Sequence, residues 1–202
     1  MPKKAKLSPR IVKLLRFLRE IEQLQRVKRA ILYTDGSPEN TAEHSWHLGM
    51  FVMLLAKEID PKANLEHMLK MALIHDLVEI YAGDTPVFGD TSHQATQAAR
   101  EEEAAEKLFA QLPVDLEKEF WTLFREFAAK TTAEAKVVAS LDHLQPIMQN
   151  LIHNGTSWKE QRMTAQRHDD RKRLGLHDDE IVIAIYESFH LEAVERRLFV
   201  DD

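Results

Sequence analysis

Between Lys70 and Ile80 the chain reads Lys-Met-Ala-Leu-Ile-His-Asp-Leu-Val-Glu-Ile. Past Lys70 this segment is apolar nearly all round, which predicts a buried helix. It nevertheless carries His75, Asp76 and Glu79. An unpaired carboxylate is expensive to bury, so the chain must compensate, and a cation does so economically. Adjacent helical residues point about 100° apart, so His75 and Asp76 can reach one ion from neighbouring angles. Glu79 stands one turn along on the same side. That spacing suits a group acting on water held by the ion better than a further ligand.

Two more residues complete a ligand set. His44 lies on the stripe His44, Leu48, Phe51, Leu55 and Ile59, so it faces inward. Asp142 flanks the stripe Val137, Leu141, Leu144 and Met148 on a later helix. His44, His75, Asp76 and Asp142 would bind one divalent ion in a helical-bundle core. Two imidazoles and two carboxylates suit Mn, Fe, Co, Ni or Zn without selecting among them. Each residue alone has a plainer reading. A lone inward His is commonly a hydrogen-bonded core residue, Asp142 could pair with Lys136, and Glu79 could be an ion-pair partner. His47 has ligand-like spacing from His44 but reads as supporting or core. The coincidence of three inward acids and two inward histidines favours the metal.

The elements that must position these groups are helical. Ser8-Pro9 starts a helix with an N-cap and a proline in the first turn. Asp35-Gly36 and Ser37-Pro38 put a loop between Tyr33 and Asn40. Asn40 and Glu43 resemble a capping box opening the second helix. The third helix is expected from about Leu65 to Tyr81 and is ended by Gly83-Asp84-Thr85-Pro86. A polar loop covers about 87–93, with Thr85 and Pro86 shaping its start. Helices follow over about 94–112, along Leu116, Phe120, Leu123, Phe124 and Phe127, and from Ala133 to His153 with a bend near Pro146. The stretch from Trp158 to Arg173 reads as an exposed helix whose mixed charges are solvated. Asp178 and Asp179 cap a last helix reaching Phe199. No strand signal is evident, so the expected class is all-α: one helical domain over 1–202, with 154–202 a C-terminal extension packed on it.

Composition narrows the function. Of 202 residues, 44% are apolar and 30% charged, with only 6 Gly and 7 Pro, as a helical globular chain requires. The net charge of −6 argues against general nucleic-acid affinity, which needs a basic surface. With no cysteine there is no disulfide, thiolate site or Cys nucleophile, so His and carboxylate must supply any metal ligands. Apolar runs fall short of a membrane span, and the basic N-terminus lacks a signal-like apolar core. A cytosolic, soluble protein is expected.

His44 within Glu-His-Ser, then His75-Asp76, then a distant Asp142 resembles the HD-domain metal-dependent phosphohydrolases. Asn-Thr-Ala-Glu-His44-Ser, His75-Asp76-Leu-Val-Glu79 and Gly83-Asp84-Thr85-Pro86 together resemble the 5′-deoxyribonucleotidase branch, over about Leu14 to Ile152. That resemblance implies an HD-type helical bundle, one divalent metal on the four ligands, and Glu79 activating the attacking water. It implies that Asp84 contacts the nucleotide sugar and Arg26, in Leu-Gln-Arg-Val-Lys-Arg, binds the phosphate. It also implies a small nucleotide as substrate and a homodimer. Val27 stands where that branch carries an aromatic residue, and the loop from Arg26 to His44 is a few residues longer. Asp84 could instead simply begin a turn, and Arg26 could belong to a solvated helix end. Another nucleotide substrate, a triphosphate or guanosine tetraphosphate, and a non-catalytic nucleotide-binding role are the competing functions.

Overall fold

The computed structural model describes residues 6–85 and 95–201. Pro86 and the expected polar loop at 87–93 lie outside them. Helix α1, Pro9–Ile21, opens where Ser8 Oγ accepts from Ile11 N at 3.3 Å, and it runs into a 3-10 turn, Glu22–Arg26. There follows an element the sequence did not announce. Strand β1, Lys28–Leu32, pairs antiparallel with β2, Pro38–Asn40, in the register Lys28↔Asn40 and Leu32↔Pro38. Asp35 Oδ1 accepts from both Ser37 N and Ser37 Oγ, and Gly36 takes φ +83° in the turn. Three residues of Pro-Glu-Asn carry little strand propensity, so the hairpin is set by this turn and by burial, not by alternation.

Helix α2, Thr41–Ile59, has the expected capping box: Glu43 N donates to Asn40 Oδ1 and Asn40 N to Glu43 Oε2. Helix α3, Leu65–Ile74, is shorter than the spacing predicts. Instead of continuing to Tyr81, the chain makes i→i−3 bonds (Leu77 N to Ile74 O, Glu79 N to Asp76 O) before the single turn α4, Glu79–Ala82. Such tightening brings side chains three apart into eclipse. Asp76 and Glu79 are therefore aligned more closely than an α-helix would align them.

Helices α5, Gln97–Phe109, and α6, Val114–Ala129, cover one side. Helix α7, Ala133–Ile152, is the central strut and runs unbroken through Pro146. It packs on α2, α3, α6 and the helix Glu180–Glu195 near the C-terminus. Its polar residues Ser140, Gln145, Gln149 and Asn150 are therefore buried along with its apolar ones.

The C-terminal segment forms α8, Thr156–Glu160, α9, Ala165–Lys172, and α10, Glu180–Glu195, the last capped by Asp179 Oδ1. The stretch from Trp158 to Arg173 is thus two helices rather than one exposed helix. Trp158, Met163 and His168 are buried in it, with Trp158 stacked on Phe199 at 4.6 Å. Trp158, Met163, Tyr186 and Leu198 belong to the same contiguous core as Leu48, Met68, Met71 and Leu141. Among the described residues no helix is long and apolar enough to cross a membrane.

Candidate metal centre

His44 leaves α2, His75 and Asp76 leave the end of α3, and Asp142 leaves α7, and all four meet in the core. His44 Nε2 is 2.9 Å from Asp142 Oδ1 and 3.5 Å from Asp76 Oδ2. His75 Nε2 is 3.1 Å from Asp76 Oδ2 and 3.8 Å from Asp142 Oδ1. Ion–ligand bonds of about 2.0–2.2 Å leave neighbouring donor atoms roughly 3–3.5 Å apart. The observed spacing is of that kind. His44, His75 and Asp142 each offer an atom within 4.8 Å of the others, so they could hold an ion, and Asp76 is near enough to join them.

The imidazoles are also turned the right way. His75 Nδ1–H donates to the Ala72 carbonyl at 2.9 Å, and His44 Nδ1–H donates to Gln145 Oε1 at 2.9 Å. Fixing the proton on Nδ1 leaves the Nε2 lone pair for a metal. Both Nε2 atoms are buried and neither makes a properly directed hydrogen bond. Two orphaned buried nitrogens facing two carboxylates fit a divalent cation better than they fit one another.

The electrostatics agree. Burial opposes charge on His75, but Asp76 and Asp142 outweigh it and raise His75 well above its ordinary value. Burial would raise Asp142, yet His44 and His75 hold it well below the usual carboxylate range. Glu79 behaves differently. It is 7% exposed, and burial, then the Asp76 charge, push it up to about 9. Thr41 Oγ1 donates to Glu79 Oε2 at 2.8 Å.

A cavity of about 620 Å³ opens beside the cluster and is lined by Arg29, His75, Asp76, Glu79, Asp84 and Asp142, among others. Phe127 forms part of its wall, with its ring 4.7 Å from that of His75. Glu79 and Asp84 are thus brought to the site the sequence assigned them. Arg26 is not. It sits on the surface, 74% exposed, paired with Glu22 at 3.4 Å. Arg29 does line the cavity, as does Arg171; Arg29 is 13% exposed, with Nη1 3.4 Å from Asp76 Oδ2 and 3.6 Å from Asp84 Oδ1. Burial works against its charge, but Asp76, Asp84, Glu79 and Glu39 hold it charged more firmly than usual. The hairpin carries Arg29 inward and leaves Arg26 behind.

With a His, His-Asp and Asp set converging on one buried point, comparison with known proteins becomes decisive. The HD-domain family profile matches residues 21–179. The chain belongs to the HD-domain family. It resembles a crystal structure of a predicted metal-dependent phosphohydrolase from Magnetospirillum magnetotacticum, with 35% identity, a TM-score of 0.84, and coverage of 95% of this chain and 96% of that one. It is 33% identical over 138 residues to the human 5′-deoxynucleotidase HDDC2 and 36% identical over 138 residues to its bovine counterpart. These alignments take in 67% of this chain and 66% and 65% of those relatives, so the match spans about two thirds of their length.

Proposed function

We propose that this chain hydrolyses deoxyribonucleoside 5′-monophosphates to nucleoside and phosphate, with one divalent ion held by His44, His75, Asp76 and Asp142. The observation that carries the reading is one cavity beside the His44, His75 and Asp142 cluster, lined also by the buried Glu79 carboxyl and the Arg29 guanidinium. The names of the human and bovine relatives supply the substrate class.

A bound divalent ion would supply Lewis acidity, acidifying water and drawing charge from a phosphoryl oxygen. The protein's own groups do the rest. A bound cation would lower the Glu79 value again, leaving a carboxylate that orients the attacking water and takes its proton. Arg29 holds the phosphate oxygens with a planar, permanently charged fork. Asp84 accepts a hydrogen bond from a sugar hydroxyl. Phe124 and Phe127 give the cavity an apolar wall.

The test is release of inorganic phosphate from a panel of nucleotides, run with Mn, Co, Fe, Ni and Zn in turn on metal-stripped protein. Metal-dependent phosphate release from deoxyribonucleoside monophosphates is expected. Release of pyrophosphate from larger nucleotides, or no turnover under any metal, would overturn it. The homodimer is part of the same reading and is supported by an exposed apolar stripe on α2. Trp46, Met53 and Leu54 there are 67%, 47% and 65% exposed. Sedimentation velocity of the wild type and of Trp46→Lys checks it; a wild-type monomer would end it.

A further inference from the structure

The geometry points to Glu39 as the residue that couples the phosphate-binding arginine to the metal ligand His44. Glu39 is completely buried on β2. Its Oε2 accepts from Arg29 Nε at 3.1 Å, across the hairpin. Its Oε1 accepts from Gln145 Nε2 at 2.9 Å and Gln149 Nε2 at 2.8 Å, both from α7. Gln145 in turn presents its Oε1 to His44 Nδ1 and gives a second N–H to His47 Nδ1 at 3.1 Å. Every hydrogen-bonding group of the Gln145 amide thus has a partner except one acceptor lone pair. Flipping the amide would set its oxygen against the Glu39 carboxylate and its N–H groups against the His44 N–H. The Glu39 charge therefore fixes the amide, the amide fixes the His44 tautomer, and the Nε2 lone pair is left facing the centre.

The same carboxylate sets the arginine. Holding Nε leaves both terminal nitrogens of Arg29 for other partners, and among the described residues Nη1 finds Asp76 and Asp84. Glu39 is thus a positioning residue with two outputs, one through Arg29 and one through Gln145. It touches neither the ion nor the substrate. The inference rests on the proposed metal and phosphate sites but not on which nucleotide is hydrolysed.

Two titrations test it, neither needing turnover: Mn²⁺ affinity by competition with a chelating dye, and inorganic phosphate binding to the Mn²⁺-loaded protein. Glu39→Gln keeps the shape and removes the anion. It should weaken Mn²⁺ about ten-fold to a hundred-fold, the size of effect expected when a ligand's hydrogen-bonded support is lost, and weaken phosphate as well. Gln145→Met should weaken Mn²⁺ alone. Arg29→Lys should weaken phosphate alone. Gln149→Met, which touches Glu39 but not His44, should leave Mn²⁺ affinity within about two-fold. A general packing defect would lower both affinities in all four variants and show no such split. Wild-type values for both ligands in Glu39→Gln overturn the inference, as does an equal Mn²⁺ loss in Gln149→Met and Gln145→Met. If Glu39→Gln fails to fold, the contrast between Gln145→Met and Gln149→Met decides alone. A protein that binds Mn²⁺ and phosphate with this pattern yet hydrolyses no deoxyribonucleotide would sink the proposed substrate and leave the Glu39 role standing.

Discussion

Removing Arg29 should damage the protein in two separable ways, and removing Arg26 should damage it in neither. The Arg29 side chain is 13% exposed and its partner Glu39 is wholly buried. Breaking a buried ion pair from one side leaves an uncompensated charge, at a cost of about 3–5 kcal/mol. Against a typical domain stability of about 5–15 kcal/mol, Arg29→Met should be plainly visible in urea unfolding. The metal-free protein is the right sample, because bound metal would add its own mass-action stabilisation. Removing both members, in Arg29→Met with Glu39→Met, should recover much of that loss, since the stranded charge goes too. It should not recover phosphate binding. Arg29→Lys keeps a charge but loses the planar fork, so KM for the nucleotide should rise about ten-fold or more, equivalent to about 1.4 kcal/mol per factor of ten. Arg26 and Glu22 are an exposed pair one helical turn apart, and such pairs contribute little. Arg26→Ala should match the wild type in unfolding midpoint and KM. A raised KM in Arg26→Ala with a normal KM in Arg29→Lys would refute the assignment and the hairpin geometry behind it.

Further consequences are open to direct measurement. Glu79→Gln should bind metal normally while losing about 10²–10⁴ in kcat, the range for a lost general base; normal turnover would remove Glu79 from the chemistry. In the metal-free protein, His75 and Glu79 both have folded values above their ordinary 6.5 and 4.5, Glu79 at about 9. Their stability contributions are full below those ordinary values and are lost as pH rises through the folded ones. The unfolding midpoint of stripped protein should therefore fall as pH climbs from about 4.5 toward 9, and a rise across that span would contradict the signs. Metal must displace the His75 proton, so calorimetric titration in buffers of different ionisation enthalpy should detect proton release near neutrality, and metal affinity should grow with pH. Gly155 sits at φ +65°, and an added Cβ would lie 2.6 Å from the Leu198 carbonyl oxygen. Gly155→Ala should loosen the C-terminal segment by about 1–3 kcal/mol, seen as faster limited proteolysis after residue 154.

The sequence pointed to the cluster of His44, His75, Asp76 and Asp142 because their types clash with their surroundings. A His-Asp pair and a Glu on an otherwise apolar segment demand an explanation, and His44 falls on an inward stripe. Asp142 was legible for the same reason, and the all-helical class followed from periodicity. What was hidden was hidden for physical reasons. The hairpin is too short to alternate, so Glu39 fell within the expected loop from Tyr33 to Asn40 and Arg29 within the basic run beside Arg26. Gln145 and Gln149 looked like ordinary surface positions of an amphipathic helix, because nothing local says that α7 is enclosed on all sides. One signal was present. Gln145 and Gln149 stand three and seven residues past Asp142, on its own stripe. A polar stripe continuing from a buried ligand should itself be buried.

The apparent insertion between Arg26 and His44 has the same origin. Counted from Arg26, that loop is a few residues too long; counted from Arg29, three of those residues disappear. The strand then explains why position 29 is the one that matters. Lys28 pairs with Asn40, the register shifts before Leu32↔Pro38, and next to the first pair Arg29 bonds Glu39. Slipping that register by one residue would turn Arg29 to the opposite face and break its bond to Glu39. Glu39 is held from the far side by two glutamines of α7, the helix that also carries Asp142, so the register is pinned to the metal cluster itself. The two-stranded element contributes little to the core. Its use is to give a flexible arginine one buried anchor, and through that anchor to tie the guanidinium at the cavity to the helix that carries Asp142.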